Sequence, residues 1–80
     1  MAGQKEVVIY STPSCHFCHA AKDFFTENHV AFKDYDVASD LAKRGEMIEK
    51  SGQMGVPVIN VGGEFIVGFD ELRLREVLAI

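Results

Sequence analysis

Glu6-Val7-Val8-Ile9-Tyr10-Ser11-Thr12-Pro13-Ser14-Cys15-His16-Phe17-Cys18 is the stretch from which the rest of the chain can be read. Glu6 to Tyr10 is a short apolar, β-branched run that predicts a buried strand. Ser11 to Ser14 predicts a loop, and Cys15 to Glu27 a helix. Cys15 therefore opens the helix. Backbone N–H groups at that end lack intrahelical partners and the helix dipole is positive, so a thiolate is favoured over the neutral thiol. A cysteine so placed reacts near neutral pH. Cys18 follows about one turn deeper, within reach of a disulfide formed at Cys15. These two are the chain's only cysteines.

The 80 residues, 48% hydrophobic, predict one small domain over 1–80 with a single modest core. A net charge of −4 and eight scattered basic residues argue against a nucleic-acid footprint, which needs clustered Lys and Arg. Met1-Ala2-Gly3-Gln4-Lys5 leads into no signal-type apolar region, and no apolar run approaches the roughly 20 residues of a membrane span. A cytoplasmic monomer with no membrane contact is the expectation. A structural disulfide is uncommon in that compartment, so a close cysteine pair points to catalysis, redox sensing or metal binding.

Cys18, Ala21, Phe24 and Phe25 fall on one helical face, with Asn28-His29 as the stop. Val30 to Val37 predicts a second strand, followed by a turn at Ala38-Ser39. Ser39 or Asp40 can cap a second helix burying Leu41, Met47 or Ile48, and Gly52 suits its left-handed C-terminal cap. Val56 to Val61 predicts a third strand, joined through Gly62-Gly63 to a fourth at Glu64 to Val67. Asp70 can cap a last helix bearing Leu72, Leu74, Val77 and Leu78. The order is βαβαββα, an α/β chain whose first two strands are parallel and whose last two form an antiparallel hairpin. Pro57 cannot donate a ladder hydrogen bond, which suits either an edge-strand start or a cis-proline beside the dithiol.

The element order, Cys15-His16-Phe17-Cys18, Gly55-Val56-Pro57-Val58-Ile59 and Gly68-Phe69-Asp70 together resemble the glutaredoxins of the thioredoxin superfamily, over essentially the whole chain. The resemblance implies a thioredoxin fold: a four-stranded mixed sheet flanked by three helices, the dithiol at one end and Pro57 in cis opposite it. It also implies thiol-disulfide exchange with Cys15 as nucleophile and Cys18 as resolving thiol, on disulfide-containing proteins or glutathione mixed disulfides. The backbone of Val56 would pair with an extended substrate segment. No bound cofactor is implied, and glutathione is a candidate reductant.

Several positions depart from the commonest family pattern. His16 and Phe17 stand where proline and tyrosine are usual. A cationic His16 would stabilise a Cys15 thiolate and raise the reduction potential; a solvent-facing His16 would do little. Thr12, Met54 and Gly55 occupy positions where many glutathione-using members carry a basic residue, a basic residue and threonine. Asp70 can meet the γ-glutamyl ammonium of glutathione, or serve only as a helix cap. Gly68-Phe69 also resembles the glutaredoxin-like proteins that take electrons from thioredoxin reductase, including reductants of ribonucleotide reductase. Phe17 and Phe69 would then form an apolar docking surface, unless Phe69 packs under the last helix.

Other chemistries fit less of the chain. Cys15-His16-Phe17-Cys18-His19 matches the haem-attachment spacing, with Met47 or Met54 as a second axial ligand, but the strand-rich order is unlike a c-type cytochrome. Zinc would need two of His16, His19 and His29 beside the cysteines, and ligands crowded on one helical turn rarely close a tetrahedron, so no metal site is assigned. Iron–sulfur bridging between two chains is a further alternative within the family. His19 and Lys22 lie roughly on the Cys15 side of the helix, as tuning charges or as ordinary surface residues. His29 falls at the helix end, where a cation is mildly favoured.

Overall fold

The computed structural model describes residues 5–80; Met1 to Gln4, on which the reading of the N-terminus partly rests, lie outside them. The elements run β1 (Val7–Ser11), α1 (His16–Glu27), β2 (Lys33–Asp36), α2 (Leu41–Ser51), β3 (Val58–Val61), β4 (Glu64–Val67) and α3 (Glu71–Leu78). The strands form one sheet in the order β2-β1-β3-β4. β1 pairs parallel with β2, placing Ile9 opposite Asp34, and antiparallel with β3, placing Ile9 opposite Ile59. β3 and β4 form the antiparallel hairpin, whose turn glycines Gly62 and Gly63 both take positive φ. This is the mixed, helix-flanked sheet that the sequence implied.

Alternation along β1 divides the core. Val7 and Ile9 join Phe24, Phe25, Ile59 and Leu74 on the face covered by α1 and α3. Val8 and Tyr10 join Val37, Met47 and Val58 on the other face, under α2. A central strand flanked by helices on both sides is covered on both faces, and every residue of β1 is buried, four of them apolar or aromatic and the last the polar Ser11. Phe25 is fully buried, with its ring 5.3 Å from that of Phe32. Burying such a side chain stabilises the fold by about 1.5–3 kcal/mol. On the α2 face the buried Tyr10 hydroxyl donates to Glu46 at 2.5 Å, so the phenol enters the core with its polar end satisfied.

Several boundaries differ from the sequence expectation. β1 begins one residue later and takes in Ser11, while β2 covers only Lys33–Asp36 of the expected Val30 to Val37. Val30 instead closes the end of α1, its N–H donating to the Phe25 carbonyl after His29 turns into left-handed backbone at φ 57°. β3 begins at Val58 because Pro57 has no N–H to give the ladder. Of Leu41, Met47 and Ile48, offered for the buried side of α2, Met47 is fully buried and Leu41 is 73% exposed; on α3, Leu72 is 81% exposed. Leu72 stands two residues, about 200°, from the buried Leu74 and so faces the opposite side. Leu41 opens α2 before its apolar stripe meets the sheet.

Candidate active site

Each of the three helices among the described residues is capped in the same way. Asp40 Oδ1 accepts from the Lys43 N–H at 3.1 Å, and Asp70 Oδ1 accepts from the Arg73 N–H at 3.1 Å. At the start of α1 the capping atom is a sulfur: Cys15 Sγ accepts from the Cys18 N–H at 3.1 Å. Cys15 is thus the cap residue, in extended backbone, and not the first residue of the helix as the sequence suggested. Its sulfur occupies the place that a carboxylate oxygen takes at the other two helices, where orphan N–H groups and the helix dipole favour an anion.

The two cysteines differ in access. Both are free thiols; Cys15 is half-buried, and Cys18 has no exposure at all. Burial pushes the Cys18 thiol up to about 12, reinforced by its hydrogen bond to Cys15 and by the charge there. A backbone hydrogen bond from Thr12 and the charge of Lys22 act in the opposite direction. Cys18 therefore holds its proton at neutral pH.

The loop before Cys15 is tied from both ends. The Cys15 N–H donates to the Thr12 carbonyl at 3.3 Å, and His19 Nε2 donates to the Pro13 carbonyl at 2.7 Å. His19 thus anchors the loop. His16 and Phe17 are exposed, their rings edge to face at 5.4 Å, and Phe17 is 60% exposed. The Val56–Pro57 bond is cis, with Pro57 buried and Val56 half-buried ahead of β3. The Pro57 carbonyl accepts from the Gly68 N–H at 2.9 Å, which ties the proline segment to the end of the hairpin. Gly68 takes φ 82°, a conformation that suits glycine.

Phe69 does not stand free beside Phe17 as a docking residue: it packs on the core, 5.8 Å from the Phe24 ring. Asp70 is exposed and caps α3. Met47, offered as an axial ligand, is fully buried on the sheet-facing side of α2, and among the described residues no cluster of three His, Cys, Asp or Glu could hold a metal ion. Lys22 is no unattached surface charge. Its ammonium pairs with Asp34 at 2.9 Å, and the other Asp34 oxygen accepts from the buried Ser11 hydroxyl at 2.6 Å. Sequence reading missed Ser11 and Asp34 because their meeting depends on the β1–β2 register. The signal available was Lys22 four residues after Cys18, on the same helical face.

The comparisons with known proteins give the family and the fold. The glutaredoxin family model matches residues 7–66. A glutaredoxin-like 8.6 kDa protein from the rubredoxin operon of Clostridium pasteurianum, itself uncharacterized, is 40% identical over 90% of this chain and 96% of its own length. Glutaredoxin 3 of Escherichia coli K12 is 38% identical over 82% of this chain and 80% of its own. Among solved structures, the thioredoxin-like protein BC3987 superposes with a TM-score of 0.87 at 29% identity, covering 91% of this chain and all of that one. No described helix is long and apolar enough to cross a membrane. A helix-capping sulfur paired with a buried one, on this sheet and in this company, places the chain in the glutaredoxin family, whose chemistry is thiol-disulfide exchange.

Proposed function

We propose that this chain is a dithiol oxidoreductase acting on disulfides in proteins or on glutathione mixed disulfides. Cys15 attacks one sulfur of the substrate disulfide, a mixed disulfide forms, and the other substrate sulfur departs as a thiolate. Cys18 then attacks Cys15 Sγ, releasing the reduced substrate and leaving a Cys15–Cys18 disulfide that an external thiol or reductase must reduce. The observation that carries this division of labour is the asymmetry of the pair: an accessible sulfur at a helix cap beside a buried, protonated one. Val56 and Pro57 form the groove wall in this reading, with His16 and Phe17 at its mouth. Gly68 to Asp70 form the far side.

A second reading concerns the electron source. Glutathione is the usual reductant of the family, but Thr12, Met54 and Gly55 place no charge where its glycine carboxylate would be met. Met54 is 67% exposed and Phe17 is also exposed, which suits a protein partner such as a thioredoxin reductase. The test compares reduction of the oxidised chain by glutathione with reduction by thioredoxin reductase and NADPH. The reductase is expected to be the faster. The reverse order assigns the electrons to glutathione, and failure of both would overturn the dithiol reading.

A further inference from the structure

Lys22 lies one helical turn beyond Cys18 on the same face of α1, with its side chain mostly covered. Lysine heads ordinarily range through solvent. This one is held, because Asp34 offers it one oxygen while Ser11, buried at the end of β1, fixes the other. The charge is thus fixed at the sheet edge beside α1, close to a fully buried thiol that must lose its proton during the reaction.

We propose that Lys22, pinned by Asp34 and Ser11, is a positioning residue for the resolving step, its ammonium supporting negative charge on Cys18 Sγ as that sulfur attacks the mixed disulfide. The proposal rests on the dithiol reading above. Cys18 gives its proton to solvent, and its thiolate bonds to Cys15 Sγ while the bond from Cys15 to the substrate sulfur breaks. The departing substrate thiolate takes up a proton. Two electrons pass from the cysteine pair to the substrate.

The groups acting on Cys18 also time the step. In the free dithiol, the hydrogen bond to Cys15 and the charge on it both hold the proton on Cys18. Once Cys15 is bonded to a substrate sulfur it carries no charge, and both of those influences end. Lys22 and the Thr12 backbone remain, with Asp34 behind Lys22 on β2 and His19 engaged by Pro13. Cys18 is then freer to ionise when its attack is needed.

Reaction of the reduced chain with dithiobis(nitrobenzoate), followed by stopped flow across pH, separates the two steps. Attack by Cys15 releases one coloured thiolate and resolution by Cys18 releases the second. Lys22→Gln is expected to slow the second phase about three- to tenfold near neutral pH and move its pH midpoint upward, leaving the first phase in place; Lys22→Arg restores both. A Lys22→Gln profile that coincides with that of the unmodified chain, even with lowered Tm, overturns the proposal. In a Cys18→Ser control the second phase must vanish; its persistence would overturn the dithiol reading instead.

Discussion

A chain carrying Cys15→Ser is expected to reduce disulfide substrates no faster than the uncatalysed background, a loss of about 10³-fold or more. The expectation follows from where the sulfur sits. Only Cys15 combines access to solvent with a place at the α1 cap, where the Cys18 N–H donates to it. Serine keeps the cap, since a hydroxyl accepts the same hydrogen bond, so the fold should persist while the nucleophile is lost. Cys18 cannot substitute, because it is fully buried and protonated. Substrate turnover by the coupled consumption of NADPH checks this, with Tm measured alongside. Turnover near the original rate would remove Cys15 from the mechanism.

Cys18→Ser has a different and equally large consequence. The first exchange proceeds, but nothing releases the substrate, so a mixed disulfide on Cys15 accumulates toward one per chain. Turnover on protein disulfides should fall by about 10²-fold or more, since a tethered thiol gains a large effective concentration over an external one. Exchange with glutathione as the external thiol can survive this substitution. Intact-mass measurement after mixing with a disulfide substrate reads the adduct directly. If the variant turned over protein disulfides undiminished, with no adduct, resolution by Cys18 would be wrong.

Much of the frame that places these sulfurs was legible without coordinates, because it depends on local rules. The Asp40 and Asp70 caps, the left-handed Gly52 and the Gly62-Gly63 turn are set by short-range backbone chemistry. The buried face of α1 follows from a 3.6-residue period, which Cys18, Ala21, Phe24 and Phe25 obey. Failures came where a side chain's setting is decided at a distance. Leu41 is apolar yet exposed, and the choice between the two readings of Phe69 is made by a ring in α1 on which it packs. The capping role of Cys15 was hidden because cysteine is not a usual cap residue, although its position beside the helix was plain. Ser11, Asp34 and Lys22 come together only through a strand register that no local pattern encodes.

The central claim is that the two sulfurs divide the work, with Cys15 attacking and Cys18 holding its proton until called on. Limited alkylation of the reduced chain with iodoacetamide at neutral pH, followed by peptide mapping, tests it directly. Modification confined to Cys15 at early times is the predicted result, given a Cys18 thiol pushed up to about 12 and closed to solvent. Equal labelling of the two cysteines, or preferential labelling of Cys18, would contradict it.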